Sequence, residues 1–127
     1  MRAPSEQELR RHLAIGSPDQ LRHATTRSYL GDGRCVAWQA AGDHIVIDAE
    51  LADGPPPPML ARTHGAEEFW ERWTRAECAA KLAGVPIASW LRAQGLEVPH
   101  GFMDAITVRA GWLDPRLVVT VGCRAGS

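Results

Sequence analysis

Two short stretches of this chain place acidic and basic side chains where they could handle a charged substrate. The run His44-Ile45-Val46-Ile47-Asp48-Ala49-Glu50-Leu51 alternates as an extended strand does. Alternate side chains of a strand share a face, so His44, Val46, Asp48 and Glu50 point one way and Ile45, Ile47, Ala49 and Leu51 the other. The apolar set is the expected core face. The polar set puts two carboxylates ~6–7 Å apart along the strand, close enough to share a divalent cation. An ordinary solvent face near a strand end has the same pattern.

The second stretch is Phe69 to Gly84. At ~100° per residue, Phe69, Trp73, Ala76, Ala80 and Ala83 gather on one apolar arc, with Glu77 at its margin. A partly buried carboxylate needs a partner, and Lys81, one turn later, is in reach as an i,i+4 pair. Such a pair is also a common surface salt bridge, worth ~0.3–0.5 kcal/mol. What singles it out is composition: of the 14 basic residues, Lys81 is the only lysine. Arginine hardly ever surrenders a proton and lysine can, so a lysine here suits acid–base work.

The elements that must position these groups follow from the punctuation of the chain. Ser5-Glu6-Gln7-Glu8 has capping-box spacing, and Ser17-Pro18-Asp19-Gln20 repeats it with proline in the first helical position, which predicts two short N-terminal helices. Gly31-Asp32-Gly33 and Ala41-Gly42-Asp43 punctuate two β-rich runs, CVAWQA and HIVIDAEL, expected as adjacent antiparallel strands. Residues 52–64, with prolines at 55 to 58, are expected to be a semi-rigid surface connection. Glu67 and Glu68 open the helix that Gly84 and Pro86 close, and PIASWLRAQ is a shorter helix ending at Gly95. AITVRAGW and RLVVTVGC read as a hairpin turning at Asp114-Pro115, with Asp104 also assigned to a turn. The order ααββααββ predicts an α+β fold in which helices pack on a small antiparallel sheet.

At 127 residues the chain fits one domain spanning 1–127, with residues 1–24 as a helical preface. With 45% hydrophobic residues, 23% charged residues and a net charge of -1, it can bury enough apolar surface to fold. The lack of a basic face argues against nucleic acid as the partner. No run approaches the ~20 apolar residues of a membrane span, and the polar start is unlike a signal peptide, so the expected setting is the cytoplasm. Cys35, Cys78 and Cys123 lack metal or disulfide spacing and read as small buried residues.

Together, Ile45-Val46-Ile47-Asp48-Ala49-Glu50 and Trp73-Thr74-Arg75-Ala76-Glu77-Cys78-Ala79-Ala80-Lys81 resemble the 4′-phosphopantetheinyl transferase superfamily. That family carries a G-[IV]-D-[IV]-E-like strand and a helix with W-x-x-K-E-x-x-x-K. The FWERW lead-in and the Lys-Leu-Ala-Gly exit are similar too, and the likeness covers about residues 25 to 123. The resemblance implies a 4′-phosphopantetheinyl transferase-like half. In it, Asp48, Glu50 and Glu77 would hold Mg2+ on the diphosphate of coenzyme A, and a serine of an acyl or peptidyl carrier protein would attack the β-phosphate. Glu77 would be the base, directly or through a water; Lys81 would stabilise or protonate the leaving phosphate. Arg75 and Lys81 would contact coenzyme A. Larger members have two such halves with coenzyme A between them, and small ones complete the cleft by association, so a homo-oligomer is implied.

Two departures stand out. Ala76 occupies the position where the family usually has lysine, and Arg75, one residue earlier, is turned ~100° away from it. Tyr29 of Arg27-Ser28-Tyr29 stands where many members have histidine. Both favour the alternative of a non-catalytic relative that binds a carrier protein, coenzyme A or a partner enzyme. A different Mg2+-dependent phosphoryl or nucleotide enzyme is the third reading; without a GxxxxGK[ST] loop it would not be of the P-loop kind.

Overall fold

Helix α1 (Glu6–His12) starts where the capping signal puts it: Ser5 Oγ accepts the Glu8 N–H, and a Glu8 carboxylate oxygen accepts the Ser5 N–H. The same reciprocal pairing forms between Ser17 and Gln20, at 2.8 and 3.1 Å, but it closes only turns, not the expected second helix. That segment buries little beyond Leu21, too small an apolar face to hold a short helix. The computed structural model describes residues 2–41 and 44–126.

Between these caps the chain leaves the helix as strand β1 (Leu13–Gly16), which pairs antiparallel with β3 (Cys35–Trp38); β2 (Thr26–Tyr29) pairs with the other edge of β3. Neither β1 nor β2 was expected from the sequence pattern. With both its edges occupied, β3 cannot pair with β4 (Val46–Leu51), which instead joins β6 (Leu117–Arg124) in a second sheet ordered β4-β6-β5, with β5 at Met103–Arg109. The expected adjacency of CVAWQA and HIVIDAEL is therefore wrong. The two strands meet face to face: Val36 and Trp38 share one core with Ile47 and Ala49. Gly42 and Asp43 of the turn signal between them lie outside the described residues. The AITVRAGW/RLVVTVGC hairpin forms as read, but Asp104 lies in β5 opposite Cys123 and accepts the Ala3 N–H at 2.7 Å.

The proline run does not remain a loop to His64. Pro58 opens helix α2 (Pro58–His64), where a missing N–H and a fixed φ are no handicap, although α2 buries no residue. Helix α3 (Phe69–Ala83) ends at Gly84, whose left-handed φ of 70° turns the chain, and α4 (Ile87–Gln94) follows. The fold is α+β, with four helices and two three-stranded antiparallel sheets where one sheet was expected. Among the described residues no helix is long and apolar enough to cross a membrane. All three cysteines are free and buried.

The layers are sheet, sheet, helices. On one face of the second sheet, Ile47, Ala49, Leu117, Val119 and Val121 pack on Leu13, Val36 and Trp38, with Leu9 of α1 in the same cluster. On the other face α3 and α4 bring Phe69, Ala76, Ala79, Ala80 and Trp90 together with Leu96. The turn between β5 and β6 is tied back by ions: Asp114 accepts from Arg116 and, at 3.0 Å, from Arg34, which also holds Asp32 of the β2–β3 turn. Hydrogen bonds from Arg116 and Arg34 keep the Asp114 carboxyl well below the usual carboxylate range.

Under α3, a chain of hydroxyls crosses the second sheet. Thr120 Oγ1 lies 2.7 Å from Thr74 Oγ1 and 2.8 Å from Thr107 Oγ1. Thr74 gives its proton to the Glu71 carbonyl, so Thr120 donates to Thr74, Thr107 donates to Thr120, and Arg75 donates to Thr107 at 3.4 Å. Each hydroxyl thus donates once and accepts once, and Thr74 and Thr120 are fully buried. Thr120→Val keeps the shape but leaves the Thr107 proton and the Thr74 oxygen without partners. We expect it to destabilise the protein by ~1–3 kcal/mol in denaturant unfolding, with Thr120→Ser closer to wild type.

Candidate functional site

Helix α3 crosses the second sheet with its four-residue spacing matched to the three strands. Trp73, Glu77 and Lys81 form the column over β4: the Trp73 indole N–H donates to Glu50 at 3.3 Å, and Lys81 Nζ donates to the Ile47 carbonyl at 2.6 Å. Thr74 and Cys78 form the column over β6, where Cys78 Sγ lies 3.5 Å from the Thr120 carbonyl oxygen. Glu71 and Arg75 form the column over β5, with Glu71 paired to Arg109 at 2.9 Å and Arg75 bonded to Thr107. Because Trp73 meets Glu50 and Lys81 meets Ile47, α3 runs antiparallel to β4, and Glu77 lies between them above the two acids.

Asp48 is the innermost of these acids, only 6% exposed. Its Oδ1 accepts from Ser28 Oγ at 3.4 Å and lies 3.7 Å from Lys81 Nζ, while its buried Oδ2 has no hydrogen-bond partner. Ser28, in β2, also accepts the Ala49 N–H at 3.0 Å, so one hydroxyl joins the two sheets beside the carboxylate. Sequence reasoning missed Ser28: a serine in a run not recognised as a strand carries no signal of its partner twenty residues on. It also treated Trp73 as apolar arc alone, although an indole N–H at the margin of that arc can reach a strand carboxylate.

The charges in this space act on one another. Burial pushes the Asp48 carboxyl up to about 8, opposed by the Lys81 charge and reinforced by Glu77 and Glu50. Burial also raises Glu50, against the Trp73 hydrogen bond, with Glu77 adding to the rise. Glu77 is raised by burial and lowered by Lys81. The expected Glu77–Lys81 ion pair does not form; Lys81 turns instead to Asp48 and the Ile47 carbonyl. The reason is depth, because the more buried carboxylate and an adjacent carbonyl offer the ammonium more than a half-buried glutamate on its own helix.

Asp48, Glu50, Glu77 and Lys81 are thus close enough to act on one another electrostatically, whereas Arg75 faces the β5 side. Tyr29 is 61% exposed at the end of β2 and Ala76 is fully buried among apolar residues. Among the described residues no group of three His, Cys, Asp or Glu side chains is arranged as a preformed metal cage. The donor chemistry nevertheless fits magnesium, which uses one or two carboxylates with water and phosphate oxygens in place of an all-protein cage. Within this cluster, Asp48 Oδ2 is a buried carboxylate oxygen without a hydrogen-bond partner. The chain matches no family model, no curated protein and no solved structure.

The burial of Asp48 has a pH signature. Burial gives the folded state a hold on this proton that the unfolded chain lacks, pushing the carboxyl from 3.8 up to about 8, while the Lys81 charge favours the ionised form. Between those values the unfolded state binds fewer protons, so stability falls as pH rises. We expect the thermal midpoint of the protein in EDTA to decline across this window, and Asp48→Asn to flatten the decline and raise the midpoint at pH 8. A wild-type midpoint that climbs through the window would contradict the assignment.

Proposed function

We propose that this protein transfers 4′-phosphopantetheine from coenzyme A to a serine of an acyl or peptidyl carrier protein. The observation that carries this reading is the buried Asp48 carboxylate with one free oxygen, flanked by Glu50 and Glu77 and faced by the only lysine of the chain. Those donors suit a diphosphate carried with a hard divalent cation. Asp48, with Glu50 and Glu77 beside it, would hold Mg2+, which when bound neutralises charge on the diphosphate.

The remaining roles fall to the chain itself. Glu77, half-buried and made more basic by burial, takes the proton of the carrier serine. The serine oxygen forms a bond to the phosphorus bearing the pantetheine arm, the bond to the bridging oxygen breaks, and adenosine 3′,5′-bisphosphate leaves. Lys81, part-exposed at the edge of the site, donates to the leaving phosphate. Trp73 fixes Glu50 by its indole N–H, and Ser28 orients Asp48. Arg75 is the candidate for further phosphate contact from the adjacent column, and a second copy of the chain closes the open side of the cleft. The reading places the protein in the cytoplasm with its carrier.

The second reading, a non-catalytic relative that binds a carrier protein, coenzyme A or a partner enzyme, is favoured by Ala76 and Tyr29 at positions where the family has cationic or titrating side chains. One assay separates the two. Incubation with apo carrier protein, coenzyme A and Mg2+ is expected to add the phosphopantetheine mass to a carrier serine. Asp48→Ala and Glu77→Ala, folded by circular dichroism, are expected to lose that product by at least about 100-fold, the scale of an essential acid–base or charge-stabilising group. Binding of the carrier without any mass increment across several carrier types would favour the second reading.

A further inference from the structure

Lys81 fills the space that a cation would take beside Asp48. Its Nζ lies 3.7 Å from Asp48 Oδ1 and is anchored by the Ile47 carbonyl at 2.6 Å, while Asp48 Oδ2, on the same 6%-exposed carboxylate, has no partner. An ammonium and a divalent ion beside one carboxylate repel each other, so the lysine that stabilises the unoccupied site also opposes metal entry. Among the described residues the lysine is held by these two contacts alone: its side chain is 40% exposed, and it takes no part in the apolar cluster under α3. What would draw it away is a second anion at the mouth of the site. Arginine would be a poorer occupant of this position, since its rigid fork prefers a fixed bidentate partner to a transferable point charge.

We propose that Lys81 is a resident counter-ion of the Asp48 site, displaced when a divalent cation and a diphosphate arrive together: the cation takes over Asp48 as the diphosphate takes over Lys81. The proposal rests on the reading of Asp48, Glu50 and Glu77 as a Mg2+ site. It adds an order to that site, in which Mg2+ alone binds weakly to the free protein and the two ligands bind cooperatively.

The experiment is calorimetric titration of the full chain with Mg2+ alone and with inorganic pyrophosphate at saturating Mg2+. The intrinsic fluorescence, to which Trp73 beside Glu50 contributes, serves as a second signal. In Lys81→Met the affinity for Mg2+ alone is expected to rise at least about fivefold, and the affinity for pyrophosphate at saturating Mg2+ to fall by a similar factor, within the usual range of coupling between sites. Opposite shifts for the two ligands distinguish displacement from mere damage, which would weaken both. Lys81→Gln, which can still donate to the Ile47 carbonyl, repeats the test if Lys81→Met fails to fold. If wild type binds Mg2+ and both neutral variants bind it no more tightly, the counter-ion proposal is overturned and the metal site stands. If no form binds Mg2+, even with pyrophosphate present, the site reading and the proposal fall together.

Discussion

The arrangement depends on how one helix is seated on one sheet. Helix α3 crosses β4, β6 and β5 with three columns of residues spaced by four, and each column bonds to a different strand. Successive four-residue steps drift by only ~40°, so over two turns a column stays above its strand. The buried hydroxyls of Thr74, Thr120 and Thr107 hold the register at the centre, because a slip along the helix would strand polar atoms in a space without water. With the register held, Trp73, Glu77 and Lys81 have no choice but to overlook Glu50 and Asp48.

That seating gives the site its charge problem. A carboxylate at the depth of Asp48 works against folding, and two further acids nearby make it worse. A structural account would be content with asparagine, which could accept from Ser28 and present no charge. On the proposed reading, an aspartate with one oxygen unpartnered serves a cation that is at times present, since the same features that destabilise the free site would strengthen cation binding. Lys81 moderates the penalty without abolishing it, and reaches only one of the two carboxylate oxygens.

The faces of β4 and α3 were more legible in the sequence than the frame around them. The alternation from His44 to Leu51 correctly divided a core face from a carboxylate face, and the position of Glu77 at the margin of the apolar arc foretold its half-burial. Both rest on strong local periodicity. The missed pieces are those with weak local signals. Strands β1 and β2 have four residues each, too few to show a period, and β1 exists because β3 has an open edge to offer. The face-to-face meeting of β3 and β4 is a tertiary outcome, for two apolar runs separated by a turn signal look alike whether they pair by edge or by face. Helix α2 was hidden by its prolines, which forbid a helix interior but suit its first position.

The one lysine among thirteen arginines ties these observations together. Elsewhere in the chain arginine does the structural work: Arg34 and Arg116 converge on Asp114, and Arg109 grips Glu71, all fixed pairings that benefit from a planar fork. Over β4 the requirement is different. A cation there must fit beside a buried carboxylate and a strand carbonyl within 3.7 and 2.6 Å, and a broad guanidinium would need more room and more acceptors than that corner provides. A compact ammonium on a flexible, part-exposed stem satisfies both and can move to another anion. The lysine in this corner is a single compact donor shared between one carboxylate oxygen and one strand carbonyl, whereas the ion pairs at Asp114 and Glu71 use the guanidinium group.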